Sequence, residues 1–373
     1  MRKKLICLGI ESSCDETAAA IVDSEKNILS HAIYSQVPEM QKFGGVVPEL
    51  AARAHILAID KIVRQALTDA KLTLDDIDII AGTAGPGLIG GVIVGWEFAM
   101  GLAQATNKPL VAVNHLEAHA LIPRLSHPSS SPRRRGSTAL KKCEQSELNF
   151  PYLLLLASGG HTQILIVRGV GEYEMLGETL DDSAGEAFDK VAKMLGLGYP
   201  GGPAIEEHAR GGDSTAYQFP RPLCHQDNCD FSFSGIKTSA RTLLIPFAGE
   251  GVARSDGVVE NINIKDFCAS FQQSVIDCII NRLTNAIARA PNIKTLVVAG
   301  GVAANLAIRT AMEKLAADND MKFAAPELKL CTDNGVMAAW AGIENYRVGN
   351  ITTEPLAPRP RWPLADTVQS TDK

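Results

Sequence analysis

The sequence predicts an α/β protein in which one design is used twice and the two halves face a shared cleft. Three observations carry that prediction. Apolar, strand-like runs alternate with helical periodicity through most of the 373 residues. Two strands enter the same device of buried strand, short polar turn and second strand: Leu5–Ile10 runs through ESSCDET into AAAIV, and Tyr152–Ala157 through SGGHTQ into ILIV. A third strand, Thr295–Ala299, breaks into GGVAAN before a long helical stretch, LAIRTAMEKLAAD.

Each strand–turn–strand device gathers backbone N–H groups and small hydroxyls at one point, where they can cradle phosphate. Two of them in one chain imply a duplicated fold, with one turn from each half facing the cleft. Two unrelated hairpins would leave the same local pattern. Residues 126–149, SHPSSSPRRRGSTALKKCEQSELN, interrupt the alternation with Ser, Pro, Arg and Lys. Such a segment cannot bury enough surface to offset its ordering entropy and reads as a mobile, basic surface insert. The tail from Ile351 is irregular too, with Trp362 in APRPRWPL as its candidate anchor.

Composition bounds the class. Apolar residues are 46% and charged residues 21%, ordinary for a globular chain long enough for two domains. The apolar run in MRKKLICLGIESSCDE stops at Glu11, too short for a signal segment, and no run approaches the ~20 residues of a membrane helix. The eight cysteines form no C-x-x-C, so reduced thiols in a cytoplasmic, non-membrane protein are expected. Cys224, His225 and Cys229 could make half a zinc site, with no second half in the sequence. A net charge of −6 argues against an autonomous nucleic-acid binder.

The segment LVAVNHLEAHALI carries the sharpest chemistry. LVAV reads as a strand, Asn114 as an N-cap, and Glu117 three residues on completes a capping box. His115 and His119 then lie one turn apart on one helix face, at a strand's carboxyl end, where two imidazoles can share a metal. A surface helix with two incidental histidines is the plain alternative. The zinc-protease motif is H-E-x-x-H, whereas the sequence here is H-L-E-A-H. Glu117 sits about 200° around the helix from each histidine, so a protease's general base is missing. A third ligand should be anionic, since a helix N-terminus disfavours a cation. Asp333, at the start of an apolar helix after a strand-like LKLC, is placed for that role or for a simple N-cap.

Gly159 and Gly160 follow one strand and Gly300 and Gly301 another, with Asn305 four residues beyond. Glycine there lets backbone approach a phosphate or nucleobase without an intervening Cβ. Asp189, in GEAFDK, suits a ribose diol; Gly201, Gly202 and Glu206, in YPGGPAIEE, add polar groups. No G-x-x-x-x-G-K-[ST] occurs and no G-x-G-x-x-G opens a helix after a strand, which removes the P-loop and dinucleotide readings.

Taken in order, GIESSCDET, GGVVPELAARAH, TAGPGLIGG, NHLEAH, ASGGHTQ, GEAFDKVAK, GYPGGPAIE, FSFSGIKT, VVAGGVAAN, CTDNG and RPRWPL resemble the TsaD family over nearly the whole chain. The resemblance implies a duplicated actin-like ATPase fold of the RNase H-like kind, with two lobes around a nucleotide cleft. It divides the chain into a first lobe at 1–125, the insert at 126–149, a second lobe at 150–325, and a return to the first lobe with a tail at 326–373. It implies transfer of a threonylcarbamoyl group from threonylcarbamoyl-AMP to N6 of a tRNA adenosine. The implied metal ligands are His115, His119 and Asp333, holding Fe(II), with Zn(II) also compatible with two histidines and a carboxylate.

The implied nucleotide contacts are Leu156, Ala157, Ser158, Gly159, Gly160, Asp189, Gly202, Glu206 and Asn305. Asp15 and Glu16 are the implied acidic groups near the reacting carbonyl. The implied partners are tRNA and TsaB-like and TsaE-like proteins. Asn114 stands where bacterial members often have histidine, Ala157 where valine is frequent, and the insert is longer than usual. The rivals are a metal-dependent peptidase, a small-molecule kinase on the same fold and a non-catalytic actin-like subunit.

Overall fold

The computed structural model describes residues 4–125, 148–244 and 262–367. All but the last two residues of the basic insert expected at 126–149 lie outside them. β1 (Ile6–Glu11), β2 (Glu16–Asp23) and β3 (Ile28–Ser35) form an antiparallel meander. A short helix α1 (Val37–Met40) and two long ones, α2 (Pro48–Ala70) and α3 (Ile89–Thr106), flank β4 (Ile79–Gly85). β4 and β5 (Leu110–Asn114) add to β1 in parallel, giving the order β3-β2-β1-β4-β5. Helix α4 (His115–Leu125) leaves β5 with no intervening residue.

The second sheet repeats this path. β6 (Tyr152–Ala157), β7 (Thr162–Gly169) and β8 (Glu172–Glu178) form the meander. Helices α5 (Ala184–Met194), α6 (Gly201–Ala209), α7 (Ser234–Leu244) and α8 (Ile264–Arg289) then lead to β9 (Thr295–Ala299). α9 (Leu306–Asp318) connects β9 to β10 (Lys322–Ala324), and the order is β10-β9-β6-β7-β8. Counted within each half, both sheets run third, second, first, fourth, fifth strand. The two strand–turn–strand devices are β1–β2 and β6–β7, the same step of each half.

Burial explains the sequence pattern. Along β1 and β4, Leu8, Ile10 and Ile80 pack in one core with α2 and α3, while Cys7, Ile79 and Ala81 pack in another with α4 and the last helix, α10 (Gly335–Arg347). With helices on both faces, these strands read as unbroken apolar runs rather than alternating ones. α10 is buried along most of its length against β1, β2 and β4, so this late helix packs on the first sheet. Gly342 allows that approach, because a Cβ there would lie 2.4 Å from the Cβ of Ala81. The LKL segment before α10 is a 3-10 turn, Leu328–Leu330, and not the strand its apolar residues suggested. It follows β10 across only a few residues and leads directly into α10.

The tail is anchored as its tryptophan suggested. Trp362 packs beside Ala84 and Trp96. The Trp96 indole N–H donates to the Leu356 carbonyl at 2.6 Å, and the Asn114 amide to the Trp362 carbonyl at 2.9 Å. Among the described residues, no helix is long and apolar enough to cross a membrane.

Candidate active site

The carboxyl ends of the parallel strands of both sheets converge on one cleft, where α/β proteins place ligands. Its volume is about 420 Å³. The first half contributes Ser13–Glu16, Pro86–Leu88, His115 and Asp333; the second contributes Ser158–His161, Asp189, Tyr199, Gly202, Glu206, Gly301 and Asn305 among others.

α4 supplies the histidines, and it begins at His115 because Asn114 caps it. The Asn114 side-chain oxygen accepts from the amides of Leu116 at 2.9 Å and Glu117 at 3.3 Å. The helix is buried on all sides rather than exposed. His115 and His119 meet edge to face with ring centroids 4.7 Å apart. Both turn Nε2 toward one oxygen of Asp333, at 3.4 Å and 3.0 Å. Asp333 is free for this because Asn334 serves as the N-cap of α10, accepting from the Met337 amide.

The first β-turn orients His115. Its Nδ1 lies 3.1 Å from Glu11 Oε2 and 3.0 Å from Ser13 Oγ. Glu11 is held in turn by the Thr83 hydroxyl at 2.6 Å and the Ser13 amide at 2.5 Å. A carboxylate can only accept, so Nδ1 carries a proton and Nε2 is the atom presented to the cleft. Nδ1 of His119 is buried with no partner among the described residues, so that ring's polar interaction also runs through Nε2.

One ligand atom from each of His115, His119 and Asp333 lies within 4.8 Å of the others. Two imidazole nitrogens converging on one carboxylate oxygen, with an outer carboxylate fixing one ring, suit a divalent cation that accepts nitrogen and oxygen donors. Cys224, His225 and Cys229 do not join any such group among the described residues.

The electrostatics follow from this crowding. Burial opposes charge on His115, but Asp333 and Glu11 outweigh it and raise its pKa to about 9. Burial likewise works against ionised Asp333, yet His115 and His119 bring it down to about 2. Burial raises Glu16 to about 9, with help from Asp15 and Asp333, so Glu16 keeps its proton at neutral pH. His161 is pushed down to about 4 by burial and by the two neighbouring histidines, so it is neutral there.

Glu117 corrects one expectation. Asn114 caps α4, but the Glu117 carboxylate does not close a capping box. It accepts from the Gly171 amide at 3.1 Å, the Tyr173 hydroxyl at 2.8 Å and the Asn345 amide at 2.9 Å. Three donors from distant segments outcompete one local N–H. The carboxylate thus ties α4 to the β7–β8 turn and to α10, and it does not line the cleft.

On the opposite wall, Ser158, Gly159 and Gly160 line the cleft, whereas Leu156 and Ala157 lie in β6 with fully buried side chains. Those two residues face the cores above and below the sheet, because consecutive strand residues point to opposite faces. A Cβ at Gly159, Gly160, Gly202 or Gly301 would meet nothing within 4 Å. Gly300 differs: its φ is +89° and a Cβ would come within 2.4 Å of the Ala157 carbonyl oxygen. Gly300 is required by the backbone, and the other four leave room that the folded chain does not fill.

Asp189 Oδ1 accepts from the Gly201 amide at 2.7 Å, and Glu206 Oε1 from the Leu306 amide at 2.8 Å. Both ends of the Asn305 side chain are engaged, its oxygen by the Ile308 amide and its nitrogen by Gln272. Tyr199 is a cleft residue that sequence reasoning missed. Its hydroxyl donates to Asp15 Oδ2 at 3.2 Å, joining the two halves across the cleft. Its place as the first residue of the YPGG turn was the available signal. His55 was also missed; it braces the first turn through Thr17 at 2.8 Å and the Cys14 carbonyl at 3.2 Å.

Two lobes of one topology around a cleft define an actin-like ATPase-fold protein, here with a candidate metal centre on one wall. Solved structures agree on the fold: Thermococcus kodakarensis HypF is 15% identical at a TM-score of 0.54, over 92% of this chain and 48% of that one. The (R)-2-hydroxyglutaryl-CoA dehydratase component A of Acidaminococcus fermentans is 14% identical at a TM-score of 0.50, over 92% and 99%. The model of the family TsaD, tRNA N6-adenosine threonylcarbamoyltransferase, matches residues 27–134 and 136–340. Proteins of that name from Sphingopyxis alaskensis and Paramagnetospirillum magneticum are 52% and 49% identical, covering 96% and 98% of this chain and 95% and 99% of theirs. The chain belongs to the TsaD family.

Proposed function

We propose that this chain transfers the threonylcarbamoyl group of threonylcarbamoyl-AMP to N6 of the adenosine 3′ of the anticodon, in tRNAs reading codons that begin with A. The products are N6-threonylcarbamoyladenosine and AMP. Membership of the transferase family supports this reading, and the observation that carries it is a cleft with the histidine–aspartate group on one wall and vacant glycines on the other. In the reaction N6 forms a bond to the carbamoyl carbon, the bond from that carbon to the phosphate oxygen breaks, and AMP leaves while N6 loses a proton.

The backbone of Ser158–Gly160 and Gly301 would pass close to the nucleotide, and Asp189 would accept from ribose hydroxyls through the oxygen not used by Gly201. Glu16, protonated at neutral pH, would donate a hydrogen bond to the oxygen that gains charge as N6 attacks. Asp15, held by Tyr199, would stand beside it. His115, His119 and Asp333 would hold Fe(II), or Zn(II), which supplies Lewis-acid stabilisation of the phosphate or carbamoyl oxygen. TsaB-like and TsaE-like partners and a cytoplasmic location complete the reading.

A protease would need Glu117 beside the metal ligands, and its three buried donors hold it away from the cleft. The test is to incubate the full chain with its partner proteins, threonylcarbamoyl-AMP, ATP and tRNA, then analyse tRNA nucleosides by mass spectrometry. N6-threonylcarbamoyladenosine is expected. Its absence would overturn the proposal, and a phosphorylated small molecule formed from ATP instead would favour a kinase.

A further inference from the structure

An acidic chain that must receive tRNA needs local positive charge near its cleft, and one short segment of the tail supplies it. Residues 359–361, Arg-Pro-Arg, are exposed, yet their backbone is fixed. The Arg359 amide donates to the Ala84 carbonyl at 2.7 Å, and the Pro360 carbonyl accepts from the Gly87 amide at 3.3 Å. The fit at this point is tight. Gly85 has φ +137°, and a Cβ there would lie 1.8 Å from the Arg359 carbonyl oxygen. On the far side, Trp362 is buried and holds the segment to the Asn114 cap of the metal-binding helix.

Pro86, Gly87 and Leu88 line the cleft alongside His115 and Asp333. The two arginines therefore flank a residue bonded directly to the cleft wall. The Arg359 guanidinium lies over the Trp362 ring, 5.0 Å from its centroid, which limits its freedom. Neither arginine has an ion-pair partner among the described residues, although many of the chain's other cations do. Lys4, Arg124, Arg168, Lys190, Arg221 and Lys237 are all paired with carboxylates.

We infer that Arg359 and Arg361 form a phosphate-binding surface for the tRNA backbone at the rim of the cleft. The inference rests on the proposed function. An adenosine that enters the cleft leaves its neighbours' phosphates at the rim, where contacts position the strand without reading its sequence. Guanidinium suits that task, since its fork matches two phosphate oxygens and it is more weakly hydrated than an ammonium. A pinned backbone means that little order has to be gained on binding.

The test compares wild type with Arg361→Gln, Arg359→Gln, the double variant and Arg361→Glu, each as full chain with its partner proteins. Affinity for unmodified tRNA is measured across a salt series, and affinity for the adenylate or AMP separately. The double variant should bind tRNA roughly 5- to 20-fold more weakly, with a log–log salt slope shallower by about 1 to 2, since each neutralised phosphate contributes about 0.7 to 0.9. Arg361→Glu should weaken binding further, and adenylate affinity should stay within about twofold throughout. If Arg359→Gln disturbs the Trp362 packing and lowers thermal stability, Arg361→Gln, at an exposed position, decides alone. Slopes and affinities equal to wild type in a complex that binds and modifies tRNA would overturn this surface and leave the function standing. A wild-type complex that neither binds nor modifies tRNA would overturn the function itself.

Discussion

The β1–β2 turn and the β6–β7 turn occupy equivalent positions in the two halves, and they have been put to opposite uses. The first, Glu11–Glu16, is crowded with buried polar groups: Glu11 braces His115, Asp15 takes the Tyr199 hydroxyl, and Glu16 keeps its proton. The second, Ser158–His161, has a neutral histidine and two glycines that face empty space. Equal topology gives both turns the same place at the cleft. The side chains decide that one wall supplies charge and the other supplies room.

The largest effect should come from the charged wall. His115→Ala and His119→Ala should each remove most bound metal and at least ~100-fold of the transferase activity while the chain stays folded, since one ligand of three is lost. Elemental analysis of the purified variants checks this, and unchanged occupancy in both would remove the metal from this wall. Glu11→Gln should act through His115. An outer-shell carboxylate that fixes a ligand ring is worth about 10- to 100-fold in metal affinity. Titration with a competing chelator would measure it, and wild-type affinity would show that Glu11 does not orient the ring.

The vacant wall should respond differently. Gly159→Ala and Gly301→Ala should leave the melting temperature within ~2 °C, because their Cβ atoms meet nothing, yet raise KM for the adenylate about tenfold or more. Gly300→Ala should instead destabilise the chain by about 1 to 3 kcal/mol, given its positive φ and its contact with the Ala157 carbonyl. Thermal melts paired with adenylate titrations would separate the two kinds of glycine.

Smaller effects sharpen the contrast. Glu16 has a folded-state pKa of about 9 against 4.5 for the free side chain, so between those values the folded chain holds a proton that the unfolded chain has released. Stability should therefore fall as pH rises through that window, and Glu16→Gln should flatten the fall. Melting temperatures from pH 6 to 9 would show it as diverging curves. Glu117→Gln places an amide N–H₂ against the Asn345 donor, costing about 1 to 3 kcal/mol of stability. Its transferase activity, assayed below the melting transition, should remain within a few-fold of wild type. Near-total loss in a folded variant would reopen a general-base role.

The sequence by itself determined the local devices. Periodicity placed His115 and His119 on one helix face, Asn114 announced the cap of α4, apolar runs marked the buried strands, and the two polar turns betrayed the duplication. Each depends on residues within a few positions of one another, where helix and strand geometry leave little choice. Only the tertiary structure decided the partners. Asp333 meets His119 across 214 residues, Tyr199 meets Asp15 across 184, and Glu117 passes over its own helix cap for Asn345, 228 residues away. It also separated Leu156 and Ala157, whose side chains lie in the core, from Ser158–Gly160, which line the cleft. Those outcomes depend on which strand ends the parallel sheets bring together, and a buried carboxylate goes to the donors it finds there because it cannot be left without any.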